Sequence, residues 1–149
     1  MSHSGLIVCE RTGDWALALR RALAAIPDAP VRLYETRSPE ECRAALADFS
    51  AAVVAIELTA ANVGAVTELL TTLDRRSPRF VTVVLLATTV EIDDAPLREC
   101  GAAHVARSVV EAPALAEIAR RHLARQDDAD GSPRLSLREQ IWRRLPWGE

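Results

Sequence analysis

Two acidic side chains stand where apolar segments of this sequence end. Glu10 follows the run GLIVC, and Glu57 lies near the end of AAVVAIELT, residues 51–59. Nearly every position of the second run is apolar, which is typical of a strand that is covered on both faces of a parallel sheet. Ligands and reactive groups gather at the carboxyl ends of such strands. Glu57 is therefore either a functional charge or an ordinary solvated acid at the edge of the core.

Hydroxyl and cationic side chains end two later apolar runs. Thr88 closes RFVTVVLLAT, while Arg107 and Ser108 close GAAHVARS. With the two acids, these residues could line a small-molecule pocket at the sheet edge, and Arg107 could pair with Glu57. All 18 basic residues of the chain are arginine, so any chemistry that needs a lysine amine is excluded.

Motifs for other chemistries do not occur in the sequence. The segment ERTGDW after the first apolar run lacks the glycines and the Lys-Ser/Thr pair of a phosphate-binding loop. There is no nucleophile elbow, zinc-protease pair or clustered Cys/His set. Cys9, Cys42 and Cys100 are odd in number and widely spaced, which predicts free thiols. We therefore expect neither a cofactor nor a metal ion.

Composition favours one globular domain. The chain has 149 residues, of which 49% are hydrophobic, enough for one core and little more. A net charge of -3 at pH 7 gives no basic surface for nucleic acid or for a membrane. The start MSHSG has no basic leader, and no apolar run approaches the ~20 residues of a membrane span. We expect a cytoplasmic protein that binds neither nucleic acid nor membrane.

Five apolar strands alternate with five helical segments, the pattern of β-α units around a parallel sheet. Ser38 followed by Pro39 and two glutamates is a strong helix start, and Asp14 is expected to cap the first helix. The pattern predicts a three-layer α/β/α sandwich with a five-stranded parallel sheet in the order 2-1-3-4-5. The predicted strands are 5–10, 31–36, 51–59, 79–88 and 101–108, and the predicted helices are 15–26, 38–49, 62–76, 92–100 and 113–125.

The C-terminal residues differ in character from the rest of the chain. Residues 127–132 are predicted to be a polar linker and residues 133–149 an amphipathic helical tail. A helix of about nine residues is not stable alone, so the tail must dock on its own domain, dock on a partner or stay disordered. The residues expected to bind a partner are Leu137, Ile141, Trp142, Arg143, Arg144 and Trp147.

The order of elements and the strand-end positions over residues 4–126 resemble the receiver domain of two-component response regulators. The opening of GAAHVARS is similar to the fifth strand of that family. The resemblance implies a flavodoxin-like fold. In receivers, two acids after strand 1 and an aspartate at the end of strand 3 hold Mg²⁺, and the aspartate accepts a phosphoryl group. A hydroxyl after strand 4 and a lysine after strand 5 contact that group.

The resemblance places several of these roles on residues that cannot perform them. The acid pair matches Cys9 and Glu10, and the acceptor matches Ile56 with Glu57 beside it. The hydroxyl matches Thr88 or its neighbour Thr89, and the lysine matches Ser108, next to Arg107. One carboxylate cannot replace the oxygen ligands that Mg²⁺ prefers. The resemblance therefore implies a degenerate receiver without enzymatic activity, in which the fold is retained and the phosphorylation chemistry is lost.

Two functions follow as hypotheses. The first is a signalling and protein-interaction module that acts without phosphorylation and contacts a protein partner or a second copy of itself. The resemblance implies that residues 92–125, from the fourth to the fifth helix, form the contact surface. The second is a small-molecule-binding or catalytic protein that uses the pocket at the carboxyl ends of strands 1, 3, 4 and 5.

Overall fold

The apolar runs of the sequence form the strands of a single parallel sheet. The structure is a computed structural model that describes residues 3–27 and 30–131. The elements are β1 (His3–Cys9), α1 (Asp14–Ala24), β2 (Leu33–Thr36), α2 (Pro39–Leu46), β3 (Phe49–Leu58), α3 (Val63–Arg76), β4 (Phe80–Leu86), α4 (Asp94–Glu99), β5 (Ala102–Ala106), a 3₁₀ turn (Val109–Glu111) and α5 (Ala112–Gly131).

The strand order is β2-β1-β3-β4-β5, and every neighbouring pair is parallel. This confirms the predicted fold class and strand order. The register places Cys9 opposite Ile56 and Glu57 opposite Leu85, so the ends of β1, β3 and β4 lie side by side. This is the edge at which the sequence placed its candidate site.

Helices cover both faces of the sheet, which produces two hydrophobic clusters. One cluster packs α1 and α5 against one face, and the other packs α2, α3 and α4 against the opposite face. β3 contributes alternate residues to both clusters, for example Val53 and Ala55 to the first and Val54 and Ile56 to the second. Burial on both faces explains why this strand reads as a continuous apolar run.

The predicted start of α2 is confirmed, whereas the predicted cap of α1 is wrong. Ser38 is the N-cap of α2, and its hydroxyl accepts a hydrogen bond of 3.2 Å from the Glu41 amide. At α1 the N-cap is Gly13 with a φ of 91°, and Asp14 is the first helical residue. The left-handed backbone at Gly13 allows this tight entry because glycine has no Cβ.

The fifth helix is longer than the sequence pattern indicated. α5 runs from Ala112 to Gly131, through most of the segment 127–132 that was predicted to be a linker. After Pro113 in the first turn no proline or glycine occurs before Gly131, and a polar sequence can extend a helix that is already anchored by packing. The predicted tail, with its proposed partner-binding residues at 137, 141–144 and 147, lies outside the described residues.

Candidate functional site

Glu10 is a buried acid that caps the first helix. Its side chain is only 2% exposed. One carboxylate oxygen accepts a hydrogen bond of 3.0 Å from the Trp15 amide, and the other accepts one of 2.7 Å from the Ala16 amide. These amides belong to the first turn of α1, where backbone donors lack partners within the helix. The cap satisfies two donors and places a negative charge at the positive end of the helix dipole.

Glu57 faces the same side of the sheet as Glu10. Its strand neighbour Leu85 belongs to the cluster beneath α1 and α5, so the Glu57 side chain points toward α1. Partial burial raises the pKa of Glu57 above its ordinary value, and the nearby charge of Glu10 raises it further. The amide and the guanidinium of Arg11 act in the opposite direction. The two acids predicted from the sequence therefore do lie in one neighbourhood.

Cys9 and Ile56 point to the other face of the sheet. Both side chains belong to the cluster beneath α2, α3 and α4. Ile56, the residue that matches the receiver phosphoacceptor, is 0% exposed. An apolar side chain in that position has no contact with solvent and no group that could accept a phosphoryl group. The sequence-predicted pocket is thus divided between the two faces.

Arg107 pairs with Asp94 rather than with Glu57. Its guanidinium lies 2.5 Å from an Asp94 carboxylate oxygen and donates a 3.2 Å hydrogen bond to the Ile92 carbonyl. The strand order explains the difference, since β4 separates β5 from β3 and places Arg107 beside the segment after β4. The hypothesis of a Glu57–Arg107 pair was therefore wrong.

Ser108 caps a short turn, and Thr88 is exposed to solvent. Ser108 is the N-cap of the 3₁₀ turn, with its hydroxyl 3.3 Å from the Val110 amide. Glu111 completes this capping box by accepting hydrogen bonds from the amides of Arg107 and Ser108, at 2.6 and 3.2 Å. Thr88 lies exposed in the turn that follows β4.

Glu111, Asp94 and Arg11 were not predicted as site residues. The Arg107 amide, followed by the Ser108 amide and His104, lowers the pKa of Glu111, which favours its charged form. The His104 ring lies 3.6 Å from the Glu111 carboxylate. The segment SVVE carries the Ser-x-x-Glu pattern of a capping box, so Glu111 could have been found from the sequence. The pairing of Arg107 with Asp94 depends on the fold and has no local sequence signal.

The described residues do not close a deep pocket around the predicted set. A shallow depression of about 510 Å³ lies between the β4–α4 segment and the end of β5. Of the predicted site residues only Arg107 lines it, together with Val90, Glu91, Ile92, Asp93 and Pro96. Within residues 3–27 and 30–131, no group of three or more His, Cys, Asp or Glu side chains could hold a metal ion. No helix in that part of the chain is long and apolar enough to cross a membrane.

The sandwich is a receiver-like fold of the flavodoxin type. Three solved structures illustrate the similarity. RcsB, a response regulator of Salmonella typhimurium, matches with a TM-score of 0.59 and 17% identity over 96% of this chain and 77% of RcsB. NtrX from Brucella abortus, solved with ATP, matches with a TM-score of 0.58 and 17% identity over 96% of this chain and 34% of NtrX.

The third structure is CpaE, a proposed pilus assembly protein of Burkholderia thailandensis. It matches with a TM-score of 0.52 and 20% identity over 83% of this chain and 99% of CpaE. At these identities the similarity establishes the fold of the chain. No family model and no curated protein matches the sequence.

Proposed function

We propose that this protein is a receiver-like signalling module that works through protein contacts and does not transfer phosphoryl groups. The proposal rests on the residues that occupy the phosphoacceptor position and the metal-binding acid position of a receiver. The acceptor position holds Ile56, which is buried in the core, and the remaining acid of the metal pair, Glu10, is bonded to two amides of α1. The similarity to response regulator structures supports the signalling context.

Glu57 does not restore the missing chemistry. It lies one position from the acceptor site and projects to the opposite face of the sheet. Phosphoryl transfer depends on an in-line acceptor and on metal ions that neutralise the phosphoryl charge. An acid with a raised pKa, beside a second acid that is engaged as a helix cap, provides neither.

The proposed contact surface lies between α4 and α5. Val109 and Val110 in the 3₁₀ turn are exposed apolar side chains, at 44% and 82%. They lie within residues 92–125, the surface that the receiver resemblance implies. Exposed apolar side chains next to charged ones are typical of protein contact sites. The partner is a protein or a second copy of the chain.

Incubation with acetyl phosphate and Mg²⁺ tests the proposal. We expect the intact mass of the protein to remain unchanged under conditions that phosphorylate an unrelated receiver with an intact site, run in parallel. Calorimetry of the same protein should detect no tight Mg²⁺ binding. A covalent, hydroxylamine-sensitive phosphate on any carboxylate would contradict the proposal, as would Mg²⁺ binding that is lost in Glu10→Gln.

The small-molecule alternative has less support from the geometry. Its five candidate residues do not surround one cavity, and two of the charged groups, Glu10 and Arg107, already have close partners. A pocket that binds a ligand tightly usually encloses most of that ligand and offers convergent polar groups. The depression beside Arg107 is open to solvent, and the Arg107 guanidinium in its lining already donates a hydrogen bond to the Ile92 carbonyl.

A further inference from the structure

Cys9 and Cys42 form a buried pair of thiols that none of the roles above uses. Cys9 is the last residue of β1, and Cys42 lies in the middle of α2. Their side chains are 3% and 0% exposed and belong to the same hydrophobic cluster. α2 packs against β1, and each of the two thiols has the strongest effect on the pKa of the other, as neighbouring thiols do.

The surroundings make the two thiols unequal. The hydrogen bond from Cys42 lowers the pKa of Cys9, whereas the same bond together with burial raises the pKa of Cys42. Thr36 lies opposite Cys9 in the sheet, and its hydroxyl lowers the pKa of both thiols while making no well-formed hydrogen bond within the described part of the chain. Cys9 is therefore the sulfur better able to react as a thiolate, with Cys42 placed to resolve the product.

We propose that Cys9 and Cys42 are a redox modification site that closes to an intramolecular disulfide under peroxide. In the first step the Cys9 sulfur takes one oxygen from hydrogen peroxide, which forms a sulfenic acid and releases water. In the second step the Cys42 sulfur displaces that oxygen as a second water, and the S–S bond forms. Hydrogen peroxide accepts the two electrons, and a small thiol reductant reverses the reaction by exchange.

Oxidant reaches the pair when α2 opens locally. α2 has eight residues, and a helix of that length depends on its tertiary packing. Short elements open more readily than the rest of a domain, which gives buried groups transient access to solvent. The disulfide would fasten α2 to the end of β1, next to Glu10. Oxidation would thus act on the same sheet edge as the candidate site.

The arginine positions make the test direct. Because the chain has no lysine, trypsin cuts only after arginine and places each cysteine in a separate peptide, 1–11 for Cys9, 38–43 for Cys42 and 99–107 for Cys100. The folded full chain is treated with hydrogen peroxide, quenched, denatured, alkylated and digested. We expect the main product to be peptide 1–11 linked to peptide 38–43, with the loss of two hydrogen atoms and full reversal by a thiol reductant.

Two variants provide controls, each checked for native circular dichroism. Cys100→Ala should retain the 1–11 to 38–43 link, because Cys100 is not part of the pair. Cys42→Ala should abolish it and leave peptide 1–11 as an irreversibly oxidised or alkylated species. Recovery of 1–11 and 38–43 as separate peptides from peroxide-treated wild type would overturn the proposal, as would links made chiefly to 99–107.

Discussion

The carboxylate of Glu10 accepts two amide hydrogen bonds, whereas that of Glu57 is partly buried beside another negative charge. Both residues are glutamates at the ends of apolar runs, so the local sequence does not distinguish their roles. The turn through Gly13 makes the difference, because it brings the first amides of α1 onto Glu10. Glu10 therefore has a structural role, and Glu57 is the less satisfied of the two acids.

Replacing Glu10 by Gln should destabilise the protein by about 1–2 kcal/mol, because an amide nitrogen cannot accept one of the two hydrogen bonds. Urea denaturation followed by circular dichroism measures the change. Glu91→Gln is the matched control, since Glu91 is exposed in the segment before α4 and should change stability little. Equal effects of the two substitutions would mean that the capping bonds contribute nothing.

Glu57→Gln should have a stabilising effect that grows with pH. The folded-state pKa of Glu57 lies above the ordinary value of 4.5, so the folded protein holds this proton more tightly than the unfolded chain. The stability contributed by Glu57 is therefore present below that value and is lost as pH rises through the folded pKa.

The measurement for Glu57 is the difference in free energy of unfolding between Glu57→Gln and wild type at pH 4 and pH 7. The glutamine side chain does not titrate in this range, so the difference isolates the ionisation of Glu57. We expect the free energy of unfolding of Glu57→Gln to rise relative to that of wild type between pH 4 and pH 7. A variant that loses stability relative to wild type as pH rises would show that Arg11 outweighs burial at this site.

Sequence reasoning placed Glu10 and Glu57 at the right edge of the sheet but could not assign their partners. Strand ends follow from apolar patterning, and parallel strands bring their carboxyl ends together. Side-chain direction follows from strand parity, and Ile56 and Glu57 accordingly project to opposite faces. The pairing of Arg107 with Asp94 requires the strand order, which places β4 between Arg107 and Glu57.

Two glycines in helix-associated positions should respond to alanine in opposite ways. Gly101 precedes β5 with a φ of 116°, and a Cβ there would lie 2.7 Å from the Asp74 Cβ. Gly101→Ala should cost about 1–3 kcal/mol or more, because strain adds to the clash. Gly64 lies in α3 with open space around it, so Gly64→Ala should be neutral or stabilise by up to about 1 kcal/mol.

Thermal or urea unfolding of the two glycine variants provides the test. The opposite signs matter more than the magnitudes, because both substitutions add one methyl group at a glycine. If Gly101→Ala proved as stable as Gly64→Ala, neither the left-handed backbone at Gly101 nor its close approach to Asp74 would disfavour a side chain there.

The short helix α4 depends on Arg107 for its position. α4 has six residues, of which only Leu97 is buried, so its own hydrogen bonds cannot hold it. Arg107→Ala should speed amide hydrogen exchange in residues 94–99 while changing global stability by less than about 1 kcal/mol, as exposed ion pairs contribute little. Arg121→Ala, which removes another exposed ion pair on α5, should leave exchange in α4 unchanged.

At the scale of the whole molecule, the α/β alternation was sufficient to predict the sandwich and its strand order. Repeated β-α units with right-handed crossovers leave few alternatives for five parallel strands. The ends of elements were harder to predict, since α5 continues to Gly131 on packing supplied by the rest of the domain. Function depends on side chains that the fold brings together from different elements, and local patterns carry less of that information.

The proposed contact surface predicts that association of the chain depends on Val110. We expect sedimentation of the full chain to show self-association at micromolar concentration, and Val110→Asp to weaken it about tenfold or more, because a charge replaces an exposed valine at the contact. Val63→Asp is the matched control, since Val63 is also an exposed valine but begins α3. If both variants weakened self-association equally, the 3₁₀ turn would not be the contact site.

A chain ending at Gly131 separates this surface from the predicted tail. If the tail forms the contact, truncation alone should give a monomer and Val110→Asp should add nothing to it. If the turn forms the contact, the truncated chain should still associate and should still respond to Val110→Asp. The cut at Gly131 keeps every described element, and the free energy of unfolding of the truncated chain should stay close to that of the full chain. A wild-type chain that remains monomeric at all concentrations would instead favour a different protein as the partner.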